Sequence, residues 1–396
     1  MVPTCLDPMP RRILLLNERD PTHPLAGGAE THVYEIFSRL ADRGYEITHL
    51  AASYKGSSRD EVVRGVRVRR LANRHIYYSM VPAAARRIAR EDCDVVVDTL
   101  NKLPFLSPWF MPVPCMAIVH HLFGTTAFNQ VAFPIALLTW LSEKLIPRAY
   151  RGVPMLAISP STRDDLAMRG VDPARVGVVP PGVDPTLYRP TEVADGGDPT
   201  IAWIGRLEPY KRADTMIDAM GLIRRSVPNA RLVVVGAGTA RQDLENRARE
   251  KGLADAVEFT GFISEADKVE ILQRASVVSQ TSEKEGWGMT VIEGNACATP
   301  AVATRVPGLQ DAVRDGESGL LVPFANVEAH AAAIVRILTD ASLSEELVRG
   351  GLAWAERFSW DRVADDTAAM IEEAIHPSGK LPRLSASPFD GGAHSA

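Results

Sequence analysis

Two carboxylates, Glu285 and Glu293, stand eight positions apart in the stretch Glu285-Gly-Trp-Gly-Met-Thr-Val-Ile-Glu293. Between them Gly286 and Gly288 lack a Cβ and allow close backbone approach. Met289 to Ala298 has the pattern of a short helix. The first N–H groups of a helix have no intrahelical acceptor, and such a terminus attracts phosphate. One carboxylate precedes that anion site and the other lies inside the helix. Acceptor-rich groups on both sides of a phosphate site suit a ligand with hydroxyls flanking a diphosphate, and a nucleotide-sugar is such a ligand. The ordinary alternative is that acidic residues gather at helix starts to oppose the macrodipole.

A second group of residues adds charge of the opposite sign. Gly205-Arg206-Leu-Glu-Pro-Tyr-Lys211 follows an apolar strand and precedes a helical pattern. An Arg and a Lys in a strand-end loop can hold a diphosphate, Arg as a bidentate fork and Lys as a point charge. Val235-Gly236-Ala-Gly238 forms a glycine turn at another strand end. Thr260-Gly261-Phe262-Ile263 forms a third such loop, where backbone could read a base edge and Phe262 would pack, on a ligand or in the core.

These loops need a scaffold, and the chain has the material for one. Its 396 residues suggest two or three domains. The apolar fraction of 46% and charged fraction of 23% are those of an ordinary globular protein. A net charge of −5 argues against a nucleic-acid partner. Cys5, Cys93, Cys115 and Cys297 have no zinc-site spacing, and the last three read as buried free thiols of a reducing compartment. No apolar run reaches the length of a membrane span, and the opening segment lacks a signal-peptide core. These features predict a cytoplasmic protein.

Along the chain, strands expected at 13–16, 46–51, 66–71, 94–98, 115–120, 155–158 and 176–179 alternate with helical segments, beginning with the face Val33, Ile36, Phe37 and Leu40. A Pro- and Gly-rich stretch, Val179-Pro-Pro-Gly-Val-Asp-Pro185 with Asp195-Gly-Gly-Asp-Pro199, reads as a linker. A second series follows, with strands expected at 200–204, 231–235, 257–260, 277–280, 301–304 and 320–322. The fold class is therefore α/β, with two doubly wound Rossmann-like domains facing across a cleft, and ligands bound at the carboxyl ends of the strands. The expected division is residues 1–185, residues 186–360, a final helix over 361–376 that packs back toward the N-terminal domain, and a disordered tail over 377–396.

The order of motifs is more specific than any one of them: Pro180-Pro-Gly182-Val-Asp184, Gly205-Arg206-Leu207 with Lys211, Gly236-Ala-Gly238, Gly261-Phe262, Glu285 to Glu293, Pro300 to Thr304 with Gly308, and Gly316-Glu-Ser-Gly-Leu-Leu-Val322. Over residues 12 to 375 the chain resembles a retaining glycosyltransferase of family four, of the group 1 type, with the GT-B fold. The resemblance implies that Glu285 contacts hydroxyls of the donor sugar and that Glu293 binds the ribose. It implies that Arg206 and Lys211 neutralise the diphosphate, with Gly205 beside them and backbone N–H groups of Met289, Thr290 and Val291 on the same phosphates. Gly236, Gly238, Phe262 and Ile263 fall in the donor-binding loops. Gly27 and Gly28 match the glycine loop of the N-terminal domain, and His120 matches a His beside the donor sugar, with His121 next to it able to share the role. The catalytic set is thus His120, Glu285, Arg206 and Lys211. Trp287, Gly294, Asn295 and Ala298 depart from frequent family residues, and none of these changes removes a charge.

The implied reaction is front-face transfer of a hexosyl group from a UDP- or GDP-linked sugar, with retention, to a glycan, lipid-linked or small-molecule acceptor, as in polysaccharide or glycoconjugate biosynthesis. The cations and the helix terminus would stabilise the leaving diphosphate, so no metal and no cofactor is expected. Asp92-Cys-Asp94 precedes a strand and reads as a solvated turn. Two competing readings share the architecture, a nucleotide-sugar 2-epimerase and a non-catalytic nucleotide-sugar-binding subunit. In the segment 131–151, Phe133, Leu137, Trp140 and Leu141 form an apolar face followed by Lys144, Arg148 and Arg151. Burial under a neighbouring loop is the favoured reading, and peripheral contact with the inner membrane face is the other.

Overall fold

The computed structural model describes residues 11–129, 133–191, 197–385 and 388–389. The chain divides into two compact units, Met1–Pro181 with Trp360–Ala396, and Gly182–Ser359. The boundary thus falls within the Pro-Pro-Gly stretch, four residues before the expected one.

The first unit is built on β1 (Arg12–Leu16), α1 (Gly28–Asp42), β2 (Glu46–Ser53), β3 (Asp60–Val63), β4 (Val66–Asn73), α2 (Arg74–Glu91), β5 (Val95–Leu100), β6 (Cys115–Val119), α3 (Phe133–Glu143), α4 (Ile146–Ala149), β7 (Met155–Ala157), α5 (Pro160–Met168) and β8 (Val176–Val178). Its sheet runs β3-β4-β2-β1-β5-β6-β7-β8, parallel except for β3, which pairs antiparallel with β4. Strand β3 was not foreseen, because Asp60 and Glu61 interrupt the apolar pattern of a short edge strand. Every residue of β5 is buried, as a central parallel strand covered on both faces requires. Asp98 shares that burial, and burial pushes its carboxyl up to about 6. The Tyr150 hydroxyl bonds to it, fixing the segment that follows α4.

The second unit comprises β9 (Thr200–Ile204), α6 (Ala213–Ser226), β10 (Arg231–Val235), α7 (Arg241–Glu250), β11 (Val257–Gly261), α8 (Glu265–Arg274), β12 (Val277–Gln280), α9 (Met289–Ala296), β13 (Ala301–Thr304), α10 (Leu309–Ala312), β14 (Gly319–Val322), α11 (Val327–Thr339) and α12 (Ala341–Ala355). Its sheet is wholly parallel in the order β11-β10-β9-β12-β13-β14. The order reverses between β9 and β12, which makes the carboxyl ends of these two strands a topological switch point. Trp203, Met216, Ile217, Leu232, Val277 and Ile334 are among the residues of its core. Gly294 lets α9 lie close on β12, since a Cβ there would sit 2.7 Å from Val278 Cγ2.

The last helix, α13 (Trp360–Ile375), belongs to the first unit and packs on α1. Buried Trp360, Val363, Ala364, Thr367, Met370, Ile371 and Ala374 recur at helical spacing, so one stripe faces the unit. Arg39 pairs with Asp361 at 3.1 Å, Arg43 with Asp365 at 2.6 Å and Arg11 with Glu372 at 2.9 Å. The segment after it, expected as a disordered tail, is held at two points: Ser378 bonds to Glu373, and both N–H and hydroxyl of Ser385 bond to Asp366. Residues 386–387 and 390–396 of that expected tail lie outside the described residues.

Three further sequence expectations meet the structure here. Asp92 and Asp94 lie in an irregular segment at the amino edge of the sheet, Asp92 exposed and Asp94 half-buried, and both pair with Arg12, whose N–H Asp94 accepts at 2.8 Å. Cys93, Cys115 and Cys297 are free thiols, half-buried in the first case and buried in the others, while Cys5 lies outside the described residues. The favoured burial of the apolar helix face holds only in part: Leu137 and Trp140 are half-buried, while Phe133 and Leu141 are exposed. Ala136, Thr139 and Glu143 of α3 point inward, whereas Phe133, Ile135, Leu138 and Leu141 are exposed. The helix is rotated from the expected face because the buried carboxylate of Glu143 anchors it, accepting bonds from Phe123 N–H, Gly124 N–H and Arg169.

Candidate active site

In the second unit the loops at the carboxyl ends of adjacent strands are tied to one another by backbone bonds. Gly205 N–H donates to Val235 O at 3.0 Å, and Gly236 N–H to Gly261 O at 2.9 Å. Glu283 N–H reaches Tyr210 O at 2.9 Å, and Glu285 N–H reaches Pro307 O at 3.3 Å. Gly236 and Gly238 are needed for this closeness. A Cβ at Gly236, whose φ is +131°, would lie 1.9 Å from Gly205 O, and one at Gly238 would lie 2.3 Å from Leu207 O. Their first duty is therefore to join the glycine turn to the Arg206 loop.

Lys211 and Glu285, far apart in sequence, form an ion pair across this rim at 2.5 Å. Ser282 Oγ donates to the same carboxylate oxygen at 2.7 Å. The loop that carries Lys211 is itself fixed from below: Trp203 Nε1 bonds to Thr281 Oγ1 at 3.0 Å, and Thr281 Oγ1 bonds to Lys211 O at 3.1 Å and Arg212 O at 2.7 Å. Arg206 is exposed and donates to the Tyr210 hydroxyl at 2.7 Å. Helix α9 then begins with Met289 and Thr290, both half-buried. Val291 and Ile292 close its first turn on Gly288 O at 2.9 and 3.2 Å.

Glu293 has a lysine of its own. Lys268 on α8 donates to it at 3.1 Å and pairs with Glu265 at 2.8 Å. Burial alone would lower the Lys268 ammonium, but Glu293 and Glu265 outweigh it and hold its pKa above the ordinary value. Tyr188 completes the group through its hydroxyl bond to Glu265. Sequence reasoning missed Lys268 and Tyr188, since neither belongs to a quoted motif. Phe262 does not fill core: its side chain is 90% exposed on the loop after β11, with Ile263 half-buried beside it. Ala298, at a position where the family often has Gly, has a φ of +65°, the left-handed region that glycine favours.

In the first unit Gly27 is the N-cap of α1 and Gly28 its first residue, with Glu30 Oε2 accepting the Gly27 N–H at 2.8 Å. His120 follows β6 and is buried, its backbone N–H bonded to Leu100 O at 3.1 Å. Its Nε2 lies 3.1 Å from His32 Nδ1 on α1, so the glycine loop and His120 meet at one edge of the sheet. Burial pushes His120 down to about 4, so the ring is neutral near pH 7. Neither His120 Nδ1 nor His32 Nε2 has a hydrogen-bond partner among the described residues. His121 is half-buried, edge-on to Phe123.

Charged residues absent from the sequence reading crowd the same edge. Lys102 lies 3.4 Å from Glu18 and 3.8 Å from Glu30. Behind them Arg70 grips Asp20 with two bonds of 2.8 and 3.0 Å, both side chains fully buried, which ties the loop after β1 to β4. A signal for this pair was present: Arg70 is in phase with Val66, Val68 and Ala72, the buried face of β4. A guanidinium among inward-facing positions needs a buried partner.

Two doubly wound parallel sheets, with a cationic glycine-rich rim and a paired-Glu helix start in the second, define a protein of the GT-B glycosyltransferase class. Residues 186–354 match the family model for glycosyl transferases group 1, and residues 26–187 match that for glycosyltransferase family 4. The chain belongs to this family. Its curated relatives include the D-inositol 3-phosphate glycosyltransferase of Acidothermus cellulolyticus, 38% identical over 52% of this chain and 50% of that one. The match thus spans about half the length of that relative. The enzyme of the same name from Kribbella flavida is 28% identical over 94% of this chain and 98% of its own. Among solved structures, sucrose-phosphate synthase from Thermosynechococcus elongatus superposes with a TM-score of 0.79 at 23% identity, covering 93% of this chain and all of that one. WaaG, a glycosyltransferase involved in lipopolysaccharide biosynthesis, gives 0.73 at 17% identity over 91% and 99%.

Proposed function

We propose that this chain transfers a hexosyl group from a UDP- or GDP-linked sugar, with retention and without a metal, to a glycan, lipid-linked or small-molecule acceptor. The observation that carries the reading is the Lys211–Glu285 pair at the glycine-rich entry to α9, with Glu293 farther along the same helix. Both bonds to Glu285 reach Oε1, so Oε2 can accept a donor-sugar hydroxyl. Lys211 has three donors and can serve Glu285 and the diphosphate together. As the glycosidic bond breaks, negative charge grows on the phosphate oxygens. Lys211, Arg206 and the N–H groups of Met289 and Thr290 meet that charge and stabilise the leaving group. Glu293 takes the ribose hydroxyls, with Lys268 holding its carboxylate in position. The neutral ring of His120 orients the sugar by hydrogen bonding and does not serve as a strong base. The departing phosphate oxygen receives the acceptor proton. The relatives' acceptor, D-inositol 3-phosphate, makes a phosphorylated polyol the first small-molecule acceptor to try.

The test is thermal-shift binding of a panel of UDP-, GDP-, ADP- and TDP-sugars to wild type and Glu293→Ala, followed by NMR of the product's anomeric proton with and without chelator. One donor should stabilise wild type and not the variant, and the product should keep the donor's configuration in chelator. Inverted product, or activity abolished by chelator and restored by a divalent ion, would overturn the mechanism. Sugar isomerised with no acceptor present would point to an epimerase.

A further inference from the structure

We propose that α3, with α4 and the turns that follow each, forms a docking surface for an anionic lipid bilayer. On α3, Phe133 is 67% exposed, Leu138 56%, Ile135 50% and Leu141 48%, with Phe128 beside them in ring contact with Phe133. Contiguous exposed apolar residues on one short helix mark an interaction site, unlike scattered single ones. The polar surroundings identify the occupant. Lys144 in the turn after α3, Arg148 on α4 and Arg151 in the turn that follows are all exposed. Across residues 121–153 the only carboxylate is Glu143, which is buried and bonded to Arg169. This segment therefore carries three exposed cations and no exposed carboxylate of its own, on a chain whose net charge is −5. Trp140 lies half-buried at its border with the Lys144 ammonium 3.5 Å from its ring centre. An apolar face edged by an aromatic ring and cations matches a headgroup boundary, where the apolar side chains enter the acyl region and the cations meet lipid phosphates. No helix among the described residues is long and apolar enough to cross a membrane, so contact would be peripheral.

The test needs no activity. The full chain is floated with vesicles of phosphatidylglycerol in phosphatidylcholine and with pure phosphatidylcholine, at low and high salt. Wild type should float with the anionic vesicles and lose that binding in salt. Each cation near an anionic surface is worth about a factor of five in partitioning, so Arg148→Glu should weaken binding at least about five-fold. Leu138→Glu with Leu141→Glu should abolish it at low salt, where wild type binds. These positions are exposed, so melting temperature and donor binding should match wild type. Failure of wild type to float, or flotation unchanged in the variants, would overturn the proposal. A concentration-dependent dimer dissolved by the Leu→Glu changes, with no vesicle binding, would assign the patch to a second copy instead.

Discussion

Replacing Lys211 by Met separates the structural duty of the Lys211–Glu285 pair from its catalytic one. The two groups lie 2.5 Å apart, with side chains 15% and 17% exposed. Breaking a fully buried pair by removing one partner costs about 3–5 kcal/mol, because the other charge is left uncompensated. Here both side chains keep some contact with water, and Ser282 still bonds to Glu285, so the loss should be smaller, about 2 kcal/mol. That is a modest part of a typical unfolding free energy of about 5–15 kcal/mol, and the variant stays folded. If Lys211 also stabilises the leaving diphosphate, kcat should fall by about 10²–10³, the scale seen when a fixed donor to a developing charge is removed. Loss of folded enzyme cannot produce that factor at such a small stability cost. The assay pairs urea unfolding with steady-state kinetics on Lys211→Met, Glu285→Gln and the double variant. Stability should recover in part in the double variant, since neither charge is then alone, while activity should not recover. A Lys211→Met enzyme with kcat within about threefold of wild type would refute the reasoning.

Three other perturbations test parts of the architecture. Gly236→Ala places a methyl 1.9 Å from Gly205 O at a φ of +131°, so it should cost at least about 2 kcal/mol and impair donor binding through the Arg206 loop; unchanged melting and donor affinity would mean the loops are not held together there. Ala298→Gly relieves a left-handed alanine and should raise stability by about 0.5–1 kcal/mol after allowing for the extra freedom of the unfolded chain, measured as a higher urea midpoint at constant slope. His49, His120 and His330 are pushed down to about 4 by burial, so their contribution to stability is full above the unfolded value near 6.5 and falls as pH drops toward 4, by about 3 kcal/mol each at the lower end. Asp98, pushed up to about 6 by burial, works in the opposite sense between pH 4 and 6 and offsets part of the loss. A urea midpoint that stays flat from pH 7 to pH 4.5 would contradict this balance.

Much of the architecture was readable without coordinates because its signals are local. Strand–helix alternation shows itself in short apolar runs and helical spacing, and the central strands came out within a residue or two. The donor motifs were legible for the same reason: a glycine turn, a strand-end cation and a helix start each occupy a few consecutive residues. Edge strand β3 was not, since its four residues carry two carboxylates and no clear alternation.

What sequence alone determined is therefore which segments form two parallel sheets and which residue types stand at their carboxyl ends. Tertiary structure decided the partners. Lys211 meets Glu285 and Lys268 meets Glu293 only because separate loops and helices converge on one rim. Arg70 closes on Asp20 because β4 and the loop after β1 become neighbours in the sheet. On α3 the sequence marked Phe133, Leu137, Trp140 and Leu141 as one apolar face, but the anchorage of Glu143 leaves Leu137 and Trp140 half-buried and Ile135 and Leu138 exposed. Periodicity reports that a face exists; what covers it depends on contacts between residues far apart in the chain.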